Sequence, residues 1–280
     1  MKITLNQILQ YKDYLINEEK SEVTVEKYIR DIQAFCKWLD RRELTKQTVL
    51  EYKNQLINDY APTSVNSAIA ALNGFFAYNE WYGLRMKSLK LQRALFSKSE
   101  KELTKQEYDK LLKAAMDKKN ERLNLIMQTI CSTGIRVSEL RYVTVEAVNQ
   151  GQTQVKLKGK IRVVIFTKEL CKILKRYVRE QGIVAGAIFI TRTGKPIDRH
   201  TIWKSMKKLC ESANVAPEKV FPHNLRHLFA RTFYGIQKDI VRLADILGHS
   251  SVNTTRIYTI ENGEIHRQQM HKLGLVRMNV

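Results

Sequence analysis

The stretch "LGHSSVNTTRIYT", residues 247–259, decides how the rest of the chain is read. His249 follows a leucine–glycine pair that closes the apolar run "ADILG". Hydroxyl and amide side chains come next, the composition of a turn and a helix start. Tyr258 then stands 9 residues after His249. The chain has 12 tyrosines, so packing is the ordinary expectation for any one of them. Whether Tyr258 differs depends on which other polar residues sit in apolar helical surroundings.

Three such places lie upstream. Arg136 follows Thr133 and Gly134 at a helix-to-helix junction, with Glu139 at i+3 as a partner. His223 and Arg226 are one turn apart in "PHNLRHLF" (222–229), so both face the same way. Lys158 and Gly159 occupy the middle of "TQVKLKGKIRVVIF" (153–166), an alternating stretch that reads as a β-hairpin. One arginine alone would be a structural ion pair. Two arginines, two histidines, a hairpin-tip lysine and a tyrosine together suit a phosphodiester. Forked guanidinium donors grip its non-bridging oxygens and stabilise a pentacoordinate transition state. Histidines donate hydrogen bonds or move protons near neutral pH. A lysine on a turn reaches a leaving oxygen. A tyrosine attacks once helped to lose its proton, since its ordinary pKa is about 10.

The charge fits that chemistry. The 280 residues carry 48 Lys+Arg against 28 Asp+Glu, a formal net charge of +20. Residues 1–90 hold 13 basic and 11 acidic side chains, so residues 91–280 carry a net +18. A field of that sign and size suits a polyanion, and nucleic acid is the expected partner. At 44% hydrophobic and 27% charged, the composition excludes wholesale disorder. Cys36, Cys131, Cys171 and Cys210 show no metal-ligand spacing and read as reduced cysteines of a cytoplasmic protein. No apolar stretch has the length of a signal core or a membrane span, so no membrane association is expected.

The first part reads as helices. "TLNQ" (4–7) is a capping-box pattern. In "TVEKYIRDIQAFCKWLDRR" (24–42), Tyr28, Ile32, Phe35, Trp38 and Leu39 recur at helical spacing. A third helix runs from about Lys46 to Tyr60, and "TSVNSAIAALNGFFAYNEWYG" (63–83) makes a fourth stopped by Gly83. Phe75, Phe76, Tyr78, Trp81 and Tyr82 are expected to close a small helical core. Residues 84–103 lose the apolar period and gain basic side chains, as an extended exposed linker does. A second capping box, "TKQE" (104–107), restarts helical order. This places a helical domain at 1–90, a basic linker at 91–103 and a second domain at 104–280. In that second domain a helix ends at Gly134, and the hairpin follows. "AIFITRTGKPI" (187–197) reads as a third short strand and a turn. "RHTIWKSMKKLCESANV" (199–215) reads as one basic amphipathic helix, with two more helices after it.

Four of these segments resemble, in order and rough spacing, the successive boxes of the tyrosine recombinases, or phage integrase family, with the Xer-like and transposon-resolvase-like members nearest. They are "TGIRVSEL" (133–140), "LKGKIR" (157–162), "PHNLRHLFA" (222–230) and "LGHSSVNTTRIYT" (247–259). "TVEKYIRDIQAFCKWL" resembles, more weakly, the family's N-terminal core-binding domain. The resemblance implies a mainly α fold with a small antiparallel β-sheet: a helical core-binding domain plus a mixed α/β catalytic domain. It implies that Arg136 and Arg226 clamp the scissile phosphate, with Glu139 buttressing the first. It implies that Lys158 is the general acid for the 5′-hydroxyl, that His223 moves a proton near the nucleophile, and that His249 bonds the phosphate. Tyr258 would be the nucleophile that forms a 3′-phosphotyrosine. Lys156 and Lys160 flank Lys158, so the choice among the three lysines stays open. His227 reads as structural. The implied activity is site-specific recombination of double-stranded DNA, in integration, excision or resolution, with no cofactor and no metal. The implied assembly is a homotetramer on two DNA sites, alone or with a related second recombinase, in the bacterial cytoplasm. Ile265, Met270, Leu273 and Val276 are expected to form the apolar face of a tail helix, docked on its own domain or in a neighbouring protomer.

Three other readings compete. His223 and His227 at i, i+4 match a zinc-ligand spacing, but Asn224 stands where a zinc protease needs glutamate. A non-catalytic DNA-binding module would keep the charge but has no need of the whole polar set. A type IB topoisomerase-like relaxing enzyme shares the phosphotyrosine chemistry, and the separate helical first part and small size favour recombination over it.

Overall fold

A computed structural model of the chain describes residues 3–91, 101–157, 160–258 and 271–273. The chain divides into two compact units, Met1–Arg93 and Ala94–Val280. The described residues are mainly helical, with one two-stranded antiparallel sheet.

The first unit packs four helices: α1 (Leu5–Asn17), α2 (Glu22–Leu39), α3 (Lys46–Asp59) and α4 (Pro62–Tyr78). Thr4 and Gln7 close the expected capping box on α1, and Pro62 begins α4, where its missing N–H costs nothing. Tyr11, Ile32, Phe35, Ile69, Phe75 and Phe76 are buried at its centre, and Trp81 packs against them. Tyr78 and Tyr82 do not join them. Tyr78 lies on the rim against Tyr11 and Tyr14, and Tyr82 is 61% exposed in a 3₁₀ turn (Tyr82–Leu84). That turn contains Gly83; α4 itself ends earlier, at Tyr78, with Asn79 as its C-cap. Residues 84–89 are not the exposed linker their basic composition suggests, since Leu84 and Met86 are buried. Two asparagines of α4 tie this strip down. Asn73 exchanges two hydrogen bonds with the Met86 backbone (2.7 and 2.8 Å), and Asn66 two with Leu89 (2.7 and 3.0 Å).

The second unit opens with α5 (Lys105–Asp117), capped by the Thr104–Glu107 box, and α6 (Glu121–Thr133). A 3₁₀ segment (Val137–Tyr142) leads to α7 (Val145–Gln150). Strands β1 (Gln152–Leu157) and β2 (Lys160–Ile165) form the hairpin, in the register Gln152↔Ile165 to Leu157↔Lys160. α8 (Lys168–Glu180) follows. The expected third strand does not form. Ala187 and Ile190 make only isolated bridges, to Thr144 and Pro196, and proline has no N–H to extend a ladder. The expected single basic helix is split into α9 (Arg199–Lys207) and α10 (Cys210–Ala213) at Lys208–Leu209. α11 (Pro222–Gln237), α12 (Ile240–Leu247), α13 (Val252–Thr255) and a 3₁₀ turn (Arg256–Tyr258) complete it. α11 packs along α6. Lys158 and the tail positions Ile265, Met270 and Val276 lie outside the described residues. No helix among the described residues is long and apolar enough to cross a membrane.

Candidate active site

The site begins where two helices stop. α6 and α12 both end on a left-handed glycine, Gly134 (φ 63°) and Gly248 (φ 64°). Neither tolerates a side chain. A Cβ on Gly134 would come within 2.5 Å of the Phe229 ring, and one on Gly248 within 2.3 Å of Arg162 Cδ. The tight reversals bring both helix C-termini against one face of α11, where Arg226 lies buried, 2% exposed. Arg226 Nη1 donates to the Gly134 carbonyl (2.5 Å), and Nη2 to the Leu247 carbonyl (2.8 Å). Carbonyls at a helix C-terminus carry partial negative charge and lack intrahelical donors, so they suit a cation. Among the described residues Arg226 meets no carboxylate. Its charge is solvated by peptide dipoles and is left whole for an anionic ligand. Burial, and then the nearby Arg136, lower its pKa to about 10, against a raising effect of the Tyr258 phenol beside it; it remains a cation at neutral pH.

Arg136 begins the 3₁₀ segment just past α6. Its backbone N–H donates to Glu139 Oε2 (2.8 Å) and its Nη1 to Glu139 Oε1 (2.9 Å). Glu139 is buried, and it binds a second cation: Arg162 of β2 donates through Nη2 to Oε2 (2.5 Å). Burial alone would raise the Glu139 pKa. The Arg136 amide and the Arg162 charge outweigh it and hold the carboxyl below the usual range.

Four rings complete the site. Arg226 Nη2 lies 3.1 Å from His249 Nε2, and His249 Nδ1 lies 2.8 Å from Thr255 Oγ1. Arginine only donates, so Nε2 accepts and Nδ1 carries the proton toward Thr255. Burial and the Arg226 charge depress the His249 pKa to about 4, in agreement with a neutral ring. Tyr258 is buried against Ala230, Leu243 and Leu247. Its ring lies nearly parallel to His249 (centroids 6.0 Å apart, 17°) and edge-on to His227 (4.7 Å, 79°). His227 in turn meets His223 edge-on at 4.6 Å. Burial and Arg226 lower the His223 pKa; burial and His223 take His227 to about 4. Tyr258 is thus both a packed aromatic and a neighbour of the buried cation.

The fold therefore brings Arg136, His223, Arg226, His249 and Tyr258 to one place from four separate segments. Lys158 lies outside the described residues, so its position relative to them is not part of this geometry. Sequence reasoning missed Arg162, and it missed Thr255, the partner that fixes the His249 tautomer. It also read His227 as structural, without the Tyr258 contact. His223 and His227 do sit together, but among the described residues no group of three or more His, Cys, Asp and Glu side chains is placed to hold a metal ion.

Comparison with known proteins adds independent information. Residues 101–264 match the phage integrase family, and residues 8–83 match the phage integrase N-terminal SAM-like domain. The chain is 31% identical to tyrosine recombinase XerD of Pseudomonas aeruginosa, over 84% of this chain and 86% of the relative. It is 29% identical to XerD of Haemophilus influenzae, over 88% and 90%. A crystal structure of a lambda integrase tetramer bound to a Holliday junction has the same fold, with a TM-score of 0.73 at 20% identity, covering 92% of this chain and 77% of that one.

Proposed function

The chain belongs to the phage integrase family of tyrosine site-specific recombinases, and from that premise we propose which residues cut and rejoin DNA, and how. The supporting observation is the buried Arg226, which among the described residues is solvated by helix carbonyls without a carboxylate and touches His249 beside Tyr258. A scissile phosphate held by Arg226 and Arg136 replaces the missing counter-charge. Tyr258 Oη attacks phosphorus on the side opposite the 5′-oxygen. Its proton passes to His223 or to solvent. The P–O5′ bond breaks as the Tyr258 O–P bond forms, and Lys158 supplies the proton that makes the leaving group a hydroxyl. His249 donates to a non-bridging oxygen as its other tautomer: Nε2 takes a proton from solvent, Nδ1 gives one up to solvent, and the Thr255 hydroxyl turns to donate to Nδ1. A 5′-hydroxyl from the partner strand then reverses the step and frees Tyr258. Bond energy is conserved in the phosphotyrosine, so the cycle consumes no nucleotide and needs no metal.

The unit 1–90 and the unit from 104 onward both bind the DNA, and the basic side chains of 91–103 add to the attraction for its phosphates. Most affinity comes from phosphate contacts of the second, strongly basic unit. Exchange of both strand pairs needs four active sites, hence a tetramer on two DNA sites. That assembly has a precedent in the lambda integrase tetramer. It forms from this chain alone or with a related second recombinase, in the bacterial cytoplasm.

The test is a nicked suicide substrate made from the native flanking DNA. The expected result is a covalent protein–DNA adduct with the wild-type chain and none with Tyr258→Phe. An adduct that persists in the variant overturns the assignment of the nucleophile.

A further inference from the structure

Arg162 stands on the wrong face of its strand. In β2, Ile161, Val163 and Ile165 are 63%, 48% and 72% exposed, while Val164 is buried. The register pairs Arg162 with buried Val155, so the arginine points inward where an apolar side chain would fit the alternation. Burying a guanidinium needs complete pairing to break even, and this one is incompletely paired. Nη1 donates to the Ile246 carbonyl (2.6 Å) and Nη2 to Glu139 Oε2 (2.5 Å), but Nε is buried with no partner among the described residues. Gly248 has no room for a Cβ because the Arg162 stem passes there. The fold keeps Arg162 inside at a cost, which points to a task other than stability.

The task follows from what Glu139 does to Arg136. A carboxylate and a guanidinium prefer a two-pronged fork, with both oxygens on two nitrogens. Glu139 gives Arg136 only one such prong, Oε1 to Nη1. Its other oxygen is held by Arg162 and by the Arg136 backbone amide. Among the described residues the Arg136 side chain makes no other hydrogen bond, so its remaining donors are free, and the side chain stays 35% exposed.

We propose that Arg162 is a positioning residue that holds Glu139 to a single prong on Arg136, keeping the other Arg136 donors available for the scissile phosphate. This rests on the recombinase reading above. Without Arg162, Glu139 turns onto Arg136, makes the fork, and competes with the phosphate for the same nitrogens. The carboxylate is then an inhibitor, and removing its charge restores what the loss of Arg162 took away.

That reversal is the test. Arg162→Met, Glu139→Gln and the double variant are compared on the nicked suicide substrate, with DNA affinity and thermal unfolding measured alongside. Arg162→Met is expected to slow covalent adduct formation about 100-fold, the scale of losing one transition-state donor. The double variant is expected to form adduct at least about tenfold faster than Arg162→Met alone, a coupling of opposite sign to additive damage. A purely structural Arg162 predicts a double variant slower than either single one, and that result overturns the proposal. So does an Arg162→Met enzyme as fast as wild type. If Arg162→Met does not fold, Arg162→Gln serves in its place; its amide can still donate to the Ile246 carbonyl but brings no charge to hold Glu139 Oε2, and the same suppression by Glu139→Gln is required. A substrate with sulfur at the 5′-bridging position, whose leaving group needs no acid, separates the remaining alternative. If it restores Arg162→Met, the residue acts through the hairpin lysine and the proposal fails. A wild-type chain that makes no adduct, or an adduct that survives Tyr258→Phe, counts against the recombinase reading itself, whatever the Arg162 variants do.

Discussion

Arg226→Lys keeps the charge and removes the fork, which makes it a direct probe of the proposed phosphate site. The guanidinium spans two carbonyls, Gly134 at 2.5 Å and Leu247 at 2.8 Å, on the ends of different helices, and also reaches His249. A lysine ammonium is a compact point charge and cannot bridge all three. At least one helix-terminal carbonyl loses its donor in a buried site, since Arg226 is 2% exposed. A buried unsatisfied acceptor costs about 1–3 kcal/mol. The lysine's retained attraction to the two helix dipoles offsets part of that. The expected net loss is roughly 2 kcal/mol, which for a unit of this size lowers Tm by about 4–8 °C. The chemical loss is larger. The forked grip on two non-bridging oxygens is lost where transition-state charge develops, so adduct formation falls by about 10²–10³. The assay is paired: thermal unfolding on one arm and single-turnover adduct formation on the suicide substrate on the other, at a temperature where the variant is folded. DNA binding should fall only a few-fold, because residues 91–280 carry a net +18 and Arg226 is one cation among many. An Arg226→Lys protein with near wild-type cleavage would refute the view that this buried fork clamps the phosphate. A collapse of DNA binding in step with cleavage would refute the separation of clamp from general affinity.

Two further outcomes follow from the same geometry. His227 and His249 are held near pKa 4 when folded, against an ordinary value of 6.5. The unfolded chain therefore binds more protons between those values, and stability is full above about pH 6.5 and falls as the pH drops toward 4. Thermal unfolding between pH 7.5 and 5 should show Tm declining, with a shallower decline in His249→Asn; an unchanged Tm across that range would contradict neutral burial of these rings. Because in the proposed mechanism a pair of guanidiniums supplies the positive charge that a metal would otherwise provide, adduct formation should proceed at an undiminished rate in excess EDTA. A rate that collapses and returns only with a divalent cation would point instead to a metal-dependent site.

The two arginine boxes illustrate what a sequence can and cannot carry. The residue types at 136, 226, 249 and 258 announce themselves because polar groups that interrupt apolar helices need a reason, and a phosphodiester supplies a common one. What holds them is not written in the residue types. Arg226 is paired with peptide carbonyls, which every residue has, and only the meeting of two helix ends selects Gly134 and Leu247. The glycines at 134 and 248 are legible as helix stops; that each stop also delivers a carbonyl to the same guanidinium is a long-range fact. Arg162 was hidden for a different reason. In "KIRVVIF" both parities contain apolar residues, and the more apolar set, Ile161, Val163 and Ile165, is the exposed one. Strand alternation alone therefore puts the arginine outside. The hairpin register reverses this, because Val155 and Val164 are needed in the core, and Arg162 shares their side. The missing third strand and the split of the 199–215 helix are ordinary boundary errors, with no bearing on the site. The inward turn of Arg162 does bear on it, because the same turn that strands its Nε is what brings it to Glu139. A charged residue forced onto the core side of a short strand, beside a glycine that cannot accept a Cβ, is a signal that only the register exposes. Here it leads from a two-stranded hairpin to the geometry of the phosphate clamp.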